Sequence, residues 1–154
     1  MKDYIIRAID SKKSFRVFIA STTDLVEEAR KIHNTSPTAT AALGRALTAA
    51  SIIGITMKEP TDSLTFKIKG DGPIGSINNF GEVKGYVDIP YADLPSRTEG
   101  KLDVGGLVGK NGQLAVIRDL GLKEPYMGFS NLVSGEIAED LVHYFYLSEQ
   151  QPSA

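Results

Sequence analysis

The sequence has 154 residues, of which 42% are hydrophobic and 23% are charged, and its formal net charge is -2. This length matches one ordinary globular domain, and the charge excludes the strongly basic surface of many nucleic-acid-binding domains. Because the sequence contains no cysteine, it can form no disulfide, thiolate metal site or thiol switch. Its first residues alternate in polarity and carry charge, unlike a secretory signal. We therefore expect a cytoplasmic protein that binds neither membranes nor nucleic acid.

A β-hairpin is predicted at the N-terminus. Residues 4–10 and 15–20 are two runs rich in β-branched and aromatic side chains. The four polar residues between them suit the turn of a hairpin.

A short helix should follow the hairpin and end near residues 33–34. Asp24 and Glu27 have the spacing of a capping box, in which each side chain bonds the backbone of the other residue. The predicted apolar face of this helix consists of Leu25, Ala29 and Ile32.

The longest apolar stretch, residues 36–57, is predicted to form one long, buried helix at the centre of the fold. Ser36 suits the N-cap, and Pro37 suits the first helical position, where no N–H is needed. A helix that is apolar or small on nearly every side packs against other elements. A membrane span is the alternative, but Arg45 and several Ser and Thr residues make the segment too polar for it. We expect Arg45 to pair with a buried carboxylate or a backbone carbonyl.

An antiparallel meander is predicted after this helix. Residues 64–69 alternate between apolar and polar side chains, which is typical of a half-buried strand. A turn at residues 70–73 leads into a second strand over residues 74–78. Another turn at residues 79–81 leads into a third strand over residues 82–89.

Residues 70–75 also match the glycine pattern of dinucleotide-binding loops, G-x-G-x-x-G. That function needs a helix to begin at the loop, so that the helix N-terminus faces the pyrophosphate. Residues 76–88 alternate like a strand instead, and we predict a hairpin turn. The alternative function that stays open is a small-molecule or nucleotide-binding enzyme that uses the glycine-rich turns at residues 70–75 and 105–112.

A second hairpin is predicted around Asn111 and Gly112. Asn-Gly between two apolar runs is the strongest short hairpin signal. Here the runs are residues 107–110 and 113–118, which we expect to form two antiparallel strands.

The C-terminal part is predicted to contain a strand or extended loop over residues 125–133, followed by a helix. Ser134 is the predicted N-cap of this helix, and Pro152 is expected to end it. The expected inner face consists of Ile137, Ala138, Leu141 and Phe145. All elements together predict an α+β fold, with antiparallel sheets packed around one long central helix and two shorter helices.

The titratable residues form no pattern typical of an active site. His33 and His143 are the only two histidines and lie on different predicted helices, without the spacing of metal ligands. Aspartates at turns bond nearby backbone groups, and we interpret four of them as structural. These are Asp71, Asp88, Asp103 and Asp119. The residues therefore favour a binding domain over an enzyme.

Four stretches, taken in order, resemble the heat-shock protein 33 family of redox-regulated holdase chaperones. They are KIKGDGPIG at residues 67–75, GEVKGYV at 81–87, VGGLVGKNG at 104–112, and the segment 126–154, with SGEIAEDL and SEQQPSA. The likeness covers the whole chain, and the ordered set is more specific than any single motif.

The resemblance implies a cytoplasmic chaperone that binds unfolding proteins without ATP. In the family, four cysteines of a C-terminal domain hold zinc, and oxidation releases the zinc and exposes client-binding surface. This chain contains no cysteine. We therefore expect residues 1–154 to be a single, truncated N-terminal domain that lacks the linker and the zinc-binding domain and has no cofactor of its own.

The resemblance leaves a client-binding surface of unknown position. Tyr126, Met127, Phe129 and Leu132 are the candidates, because Met and aromatic side chains adapt to varied partners. Ordinary strand packing is the competing interpretation of this run.

Two further expectations concern partners. An interaction domain for one folded protein is an alternative to a chaperone that binds many unfolding clients. A truncated sheet would leave unpaired edges, so we also expect a homodimer or larger assembly through strand pairing or swapping.

Overall fold

The computed structural model describes residues 2–81 and 83–154. The strands in these residues are β1 (Tyr4–Ile9), β2 (Arg16–Ser21), β3 (Ser63–Lys69), β4 (Ser76–Phe80), β5 (Lys84–Val87), β6 (Gln113–Asp119) and β7 (Tyr126–Asn131). The helices are α1 (Thr23–His33), α2 (Pro37–Gly54), α3 (Val104–Val108) and α4 (Ala138–Leu147). The hairpin β1-β2 forms one antiparallel sheet, and the other has the order β5-β4-β3-β6-β7. This is the predicted α+β fold with one additional short helix.

The long apolar helix α2 begins where the sequence predicts. The Ser36 side chain accepts a hydrogen bond from the Ala39 N–H at 3.1 Å, and Pro37 occupies the first helical position. Most of the helix is buried against α1, α3 and strands of both sheets. It ends at Gly54 rather than at residue 57, because Thr56 and Met57 bond three positions back, in a tighter turn.

The predicted capping box of α1 is wrong. The Asp3 carboxylate accepts hydrogen bonds from the N–H groups of Asp24 and Leu25, at 3.1 and 2.8 Å. Glu27 instead pairs with Arg30 at 2.7 Å within the same helix. A carboxylate that is distant in sequence therefore satisfies the helix N-terminus.

The apolar face of α1 is shorter than predicted. Ala29 is buried and Leu25 is half-buried, but Ile32 is exposed to solvent. Val26, six residues before Ile32, packs against Gly44 and forms part of the contact with α2.

The meander is present, with its second turn shifted. β3 alternates as predicted, with every second residue buried. Asn79 and Phe80 belong to β4 and not to a turn, because the buried Asn79 side chain donates to the Phe66 carbonyl at 3.3 Å. The chain pairs again in β5, which begins at Lys84. Glu82, the predicted first residue of that last strand, lies outside the described residues.

The predicted hairpin at Asn111 is wrong. The run before it forms helix α3, whose N-cap Asp103 accepts a hydrogen bond from the Gly106 N–H at 3.0 Å. Asn111 instead donates to Asp71, from its backbone N–H at 3.1 Å and from its side-chain amide at 2.7 Å. A long-range partner thus replaces the turn that the local sequence favours.

Helix α4 has a different cap from the predicted one, and its inner face matches the prediction except that Ala138 is exposed and Tyr144 is buried. Ser134 lies outside the helix, and the buried Asp140 carboxylate bonds the backbone of the preceding loop. Ile137 and Tyr144 are buried, whereas Ala138 is exposed. Leu141 and Phe145 are half-buried against the core. The helix ends at residue 147, before Pro152.

Candidate functional site

The five-stranded sheet has one face against the helices and one face open to solvent. Because side chains alternate along each strand, the register places residues of all five strands in rows across the open face. The first row is Lys84, Phe80, Thr65, Ile117 and Met127. The second row is Tyr86, Asn78, Lys67, Ala115 and Phe129. These two rows are called the open face below.

The open face is mainly apolar at both ends. Met127 and Phe129 on β7 are 55% and 51% exposed, and Phe80 and Tyr86 at the other end are 44% and 42% exposed. The rings of Phe80 and Tyr86 stack at 6.2 Å between centroids. Exposed apolar side chains that cluster in this way mark surfaces that bind other molecules.

Two of the four candidate residues for client binding lie on the open face, and the other two do not. Met127 and Phe129 lie on the open face. Tyr126 points to the helix side, where its ring lies 5.8 Å from the Arg118 guanidinium. Leu132 is buried, so strand packing accounts for it. A role in client binding stays a prediction for the two residues on the open face.

Sequence reasoning missed three apolar residues of the open face. Ile117, Phe80 and Tyr86 come from three separate strands, and only the pairing register places them in the same two rows as Met127 and Phe129. The alternation within each strand was visible in the sequence. Which alternating set faces solvent was not, because that depends on where the helices pack.

Helix α4 fixes the strand that carries Met127 and Phe129. The buried Tyr144 ring lies under Gly128, where an added Cβ would come within 2.5 Å of its hydroxyl. The Tyr144 hydroxyl donates to Glu149 at 2.8 Å, and Glu149 also pairs with Arg118 at 3.0 Å. Burial raises the pKa of Tyr144, as does the neighbouring Glu149 carboxylate. The hydroxyl therefore stays protonated and keeps its role as donor.

The two glycine-rich segments bind each other. The N–H of Gly72 donates to the Val108 carbonyl at 2.9 Å, and the N–H of Ile74 donates to the Leu107 carbonyl at 3.2 Å. A helix does not begin at Gly72 in the described residues. The backbone groups that would have to cradle a phosphate are thus used within the fold, and the nucleotide-binding alternative has no support.

Arg45 has the kind of partner that was predicted. Its guanidinium donates to the Glu136 carboxylate at 2.5 Å and to the Glu136 carbonyl at 3.2 Å. Arg97 joins the same carboxylate at 2.5 Å and reaches Asp103 at 2.6 Å. Burial raises the pKa of Glu136, but the hydrogen bonds from both arginines bring the pKa below its ordinary value. This network ties α2 to the loops before α3 and α4.

The zinc that the resemblance implies does not fit this chain. The sequence contains no cysteine, and within residues 2–81 and 83–154 the His, Asp and Glu side chains form no group of three that could hold a metal ion. Over the same ranges, the helices are too short or too polar to cross a membrane.

Comparisons with known proteins agree with one another. The family model described as Hsp33 protein matches residues 3–154. A 33 kDa chaperonin from Desulforamulus reducens is 55% identical, over 100% of this chain and 53% of that protein. A 33 kDa chaperonin from Clostridioides difficile is 52% identical, over 99% of this chain and 54% of that protein.

A solved structure extends the comparison. The crystal structure of the 33 kDa chaperonin (heat shock protein 33 homolog) from Thermotoga maritima matches with a TM-score of 0.90 and 42% identity, over 97% of this chain and 52% of that one. The chain thus spans about half the length of the relatives it matches. On the family match and these identities, the chain belongs to the Hsp33 protein family.

Proposed function

We propose that this chain is the client-binding part of an ATP-independent holdase chaperone, and that it holds apolar segments of unfolding proteins on the open face. The observation that carries the proposal is the exposed set of Met and aromatic side chains on β7, β4 and β5. The membership of this chain in the Hsp33 protein family supports the chaperone class. The relatives named 33 kDa chaperonin support the same class.

The open face has the physical properties that a holdase needs. Covering roughly 400 Å² of apolar surface would stabilise a complex by about 10 kcal/mol before the cost of association is subtracted. Met127 and the aromatic rings can adapt to clients of different shape. Binding of this kind requires no turnover and no nucleotide.

Regulation of the whole protein is part of the proposal. Because residues 1–154 contain no cysteine, we assign the zinc site and the redox switch of the family to sequence that lies outside this range. The proposed location, the cytoplasm, also follows from the family resemblance.

Light scattering of a thermally unfolding enzyme tests the proposal. The wild-type chain should suppress aggregation without ATP, and several unrelated clients should be protected. The double variant Met127→Ser/Phe129→Ser should lose most of this protection, because it makes one end of the open face polar. Ile32→Ser is the matched control, since Ile32 is an exposed apolar residue on α1.

Two outcomes would contradict the proposal. Equal protection by the wild type and the double variant would show that the open face does not bind clients. Protection of only one client would favour an interaction domain with a single partner. Circular dichroism of each variant would establish that it is folded.

A further inference from the structure

Lys67 occupies the middle of the open face. It lies on β3, the central strand, between Asn78 on β4 and Ala115 on β6. The same row ends at Tyr86 and at Phe129. Adjacent strands lie about 4.8 Å apart, so the row is roughly 19 Å long, about the span of six extended residues. A client segment that contacts both apolar ends of the open face would therefore pass over this lysine.

The charge near Lys67 is not neutralised by the protein. Neither Lys67 nor its neighbour Lys69 forms an ion pair with another described residue. The Asp88 carboxylate, after the edge strand β5, accepts the Ser76 N–H at 2.8 Å and the side-chain amide of Asn78 at 3.5 Å. The Asp119 carboxylate, at the end of β6, accepts the Gly121 N–H at 3.0 Å. The centre of the surface is thus positive, although the whole chain carries a net charge of -2.

From this charge pattern we infer that the open face prefers unfolded segments in which Asp or Glu accompanies the apolar residues. The inference deepens the proposed function and depends on it. A client carboxylate above Lys67 would be attracted at the moment when apolar contacts exclude water, which strengthens the interaction. A client lysine at the same place would be repelled.

The same charge disfavours a second copy of this chain as the occupant. In a twofold contact between two open faces, the same patch meets itself. The lysines at the centres of both sheets would then approach one another. A client of opposite charge fits the surface better than a copy does.

Fluorescence anisotropy with three labelled, unstructured peptides tests the inference. The peptides share one apolar core and differ only in their flanking residues, which are Glu, Gln or Lys. The Glu peptide should bind about fivefold more tightly than the Gln peptide, and the Lys peptide should bind more weakly than both. Raising the salt concentration to about 0.5 M should reduce these differences, because it screens exposed charges.

Substitution of Lys67 and Lys69 tests whether the preference for the Glu peptide comes from the charge on this sheet. Lys67→Gln/Lys69→Gln should bind the Glu and Gln peptides equally. The control Lys12→Gln/Lys58→Gln removes the same number of charges from exposed positions in the first hairpin and after α2. This control should keep the preference of the wild type.

The outcomes separate this inference from the proposed function. Equal affinity for all three peptides, with binding lost in Met127→Ser/Phe129→Ser, would overturn the charge preference alone. The charge preference would also be wrong if the variant without Lys67 and Lys69 retained it. If no peptide bound and the aggregation assay showed no effect of the open face, both ideas would fail.

Discussion

At the scale of single residues, Asp140 is a fully buried carboxylate whose hydrogen bonds go to backbone N–H groups. One oxygen accepts from Val133 at 2.7 Å, Ser134 at 3.0 Å and Gly135 at 3.4 Å, and the other accepts from Ile137 at 2.9 Å. These donors belong to the loop that leads from β7 into α4. The carboxylate therefore satisfies N–H groups at the N-terminus of α4 and fixes the loop that connects β7 to this helix.

We expect Asp140→Asn to lower the free energy of unfolding by about 2 kcal/mol, because an amide group would face N–H donors where an oxygen now accepts. Urea denaturation followed by circular dichroism measures this change. Glu139→Gln, at the exposed neighbouring position, should change stability by less than about 0.5 kcal/mol. An equally small effect of Asp140→Asn would mean that its hydrogen bonds do not stabilise the loop.

Glu136 should make stability depend on pH. Its pKa in the folded chain lies below its ordinary value of 4.5, because Arg45 and Arg97 outweigh the effect of burial. A lowered pKa stabilises the folded state above pH 4.5, and this contribution disappears as the pH falls through the folded-state pKa. Glu136→Gln should therefore destabilise the chain by about 1 kcal/mol at neutral pH, since both arginines are partly exposed.

The same comparison at about pH 3 should show a smaller difference, because the stabilisation by the lowered pKa of Glu136 declines as the pH falls below 4.5. Glu28→Gln is the matched control, as Glu28 is exposed and makes no ion pair in the described chain. A loss of stability in Glu136→Gln that is the same at both pH values would contradict the electrostatic explanation.

At the scale of elements, the turn between β3 and β4 is held against α3 by backbone contacts. A Cβ added to Gly72 would lie 2.2 Å from the Leu107 carbonyl oxygen. This carbonyl also accepts the Ile74 N–H, so the two segments cannot separate without losing a hydrogen bond. The glycine allows the close approach, and the approach joins the five-stranded sheet to α3.

We expect Gly72→Ala to destabilise the chain by about 2–4 kcal/mol, because backbone atoms cannot move aside as a flexible side chain could. Gly54→Ala is the control, since an added Cβ would meet no atom within 4 Å at the last residue of α2. That control should be neutral or stabilising by up to about 1 kcal/mol. Thermal denaturation measures the stability of both variants. Equal melting temperatures for Gly72→Ala and Gly54→Ala would contradict the close packing at Gly72.

The elements predicted correctly are those that local chemistry determines. Ser36 and Pro37 specify the start of α2, and the alternation in β3 specifies which of its side chains are buried. The errors occur where a partner distant in sequence decides the outcome. Asp3 replaces the local cap of α1, and Asp71 takes the hydrogen bonds that would form a turn at Asn111. The candidate site follows the same rule, because the apolar run on β7 was visible but the rows of the open face depend on register.

At the scale of the whole molecule, several strand edges have no partner in the described residues. The five-stranded sheet ends at β5 and β7, and the hairpin β1-β2 pairs with no further strand. Ile6 and Ile19 form a cross-strand pair on the hairpin, and both are exposed. Association at these edges would pair backbone groups that lack a strand partner and would cover the exposed apolar side chains.

We therefore expect a dimer or larger species at tens of micromolar, roughly the range in which weak edge pairing becomes visible. Light scattering over a dilution series measures the molecular mass. Ile6→Lys/Ile19→Glu should shift the equilibrium towards monomer, while Ile32→Lys on α1 should not. A wild-type chain that is monomeric throughout the series would contradict the expectation.

Activity of the chain should not depend on mild oxidation. The sequence has no thiol, and its three methionines are the side chains that peroxide oxidises most easily. Met127 is the methionine on the open face, so extensive conversion to the polar sulfoxide would weaken client binding. A mild dose should leave it largely intact. Protection of a heat-unfolded enzyme should therefore be the same in dithiothreitol and in dilute peroxide.

Strong protection only after oxidation would contradict this prediction, because residues 1–154 contain no group that could supply a thiol switch. Absence of protection under both conditions would place the client surface of the family outside this chain and would leave Met127 and Phe129 as exposed residues without a binding role. Protection that declines only at high peroxide, and does not decline in Met127→Leu, would instead locate the client contact at β7. The dose at which protection is lost thus distinguishes regulation by oxidation from damage to the open face itself.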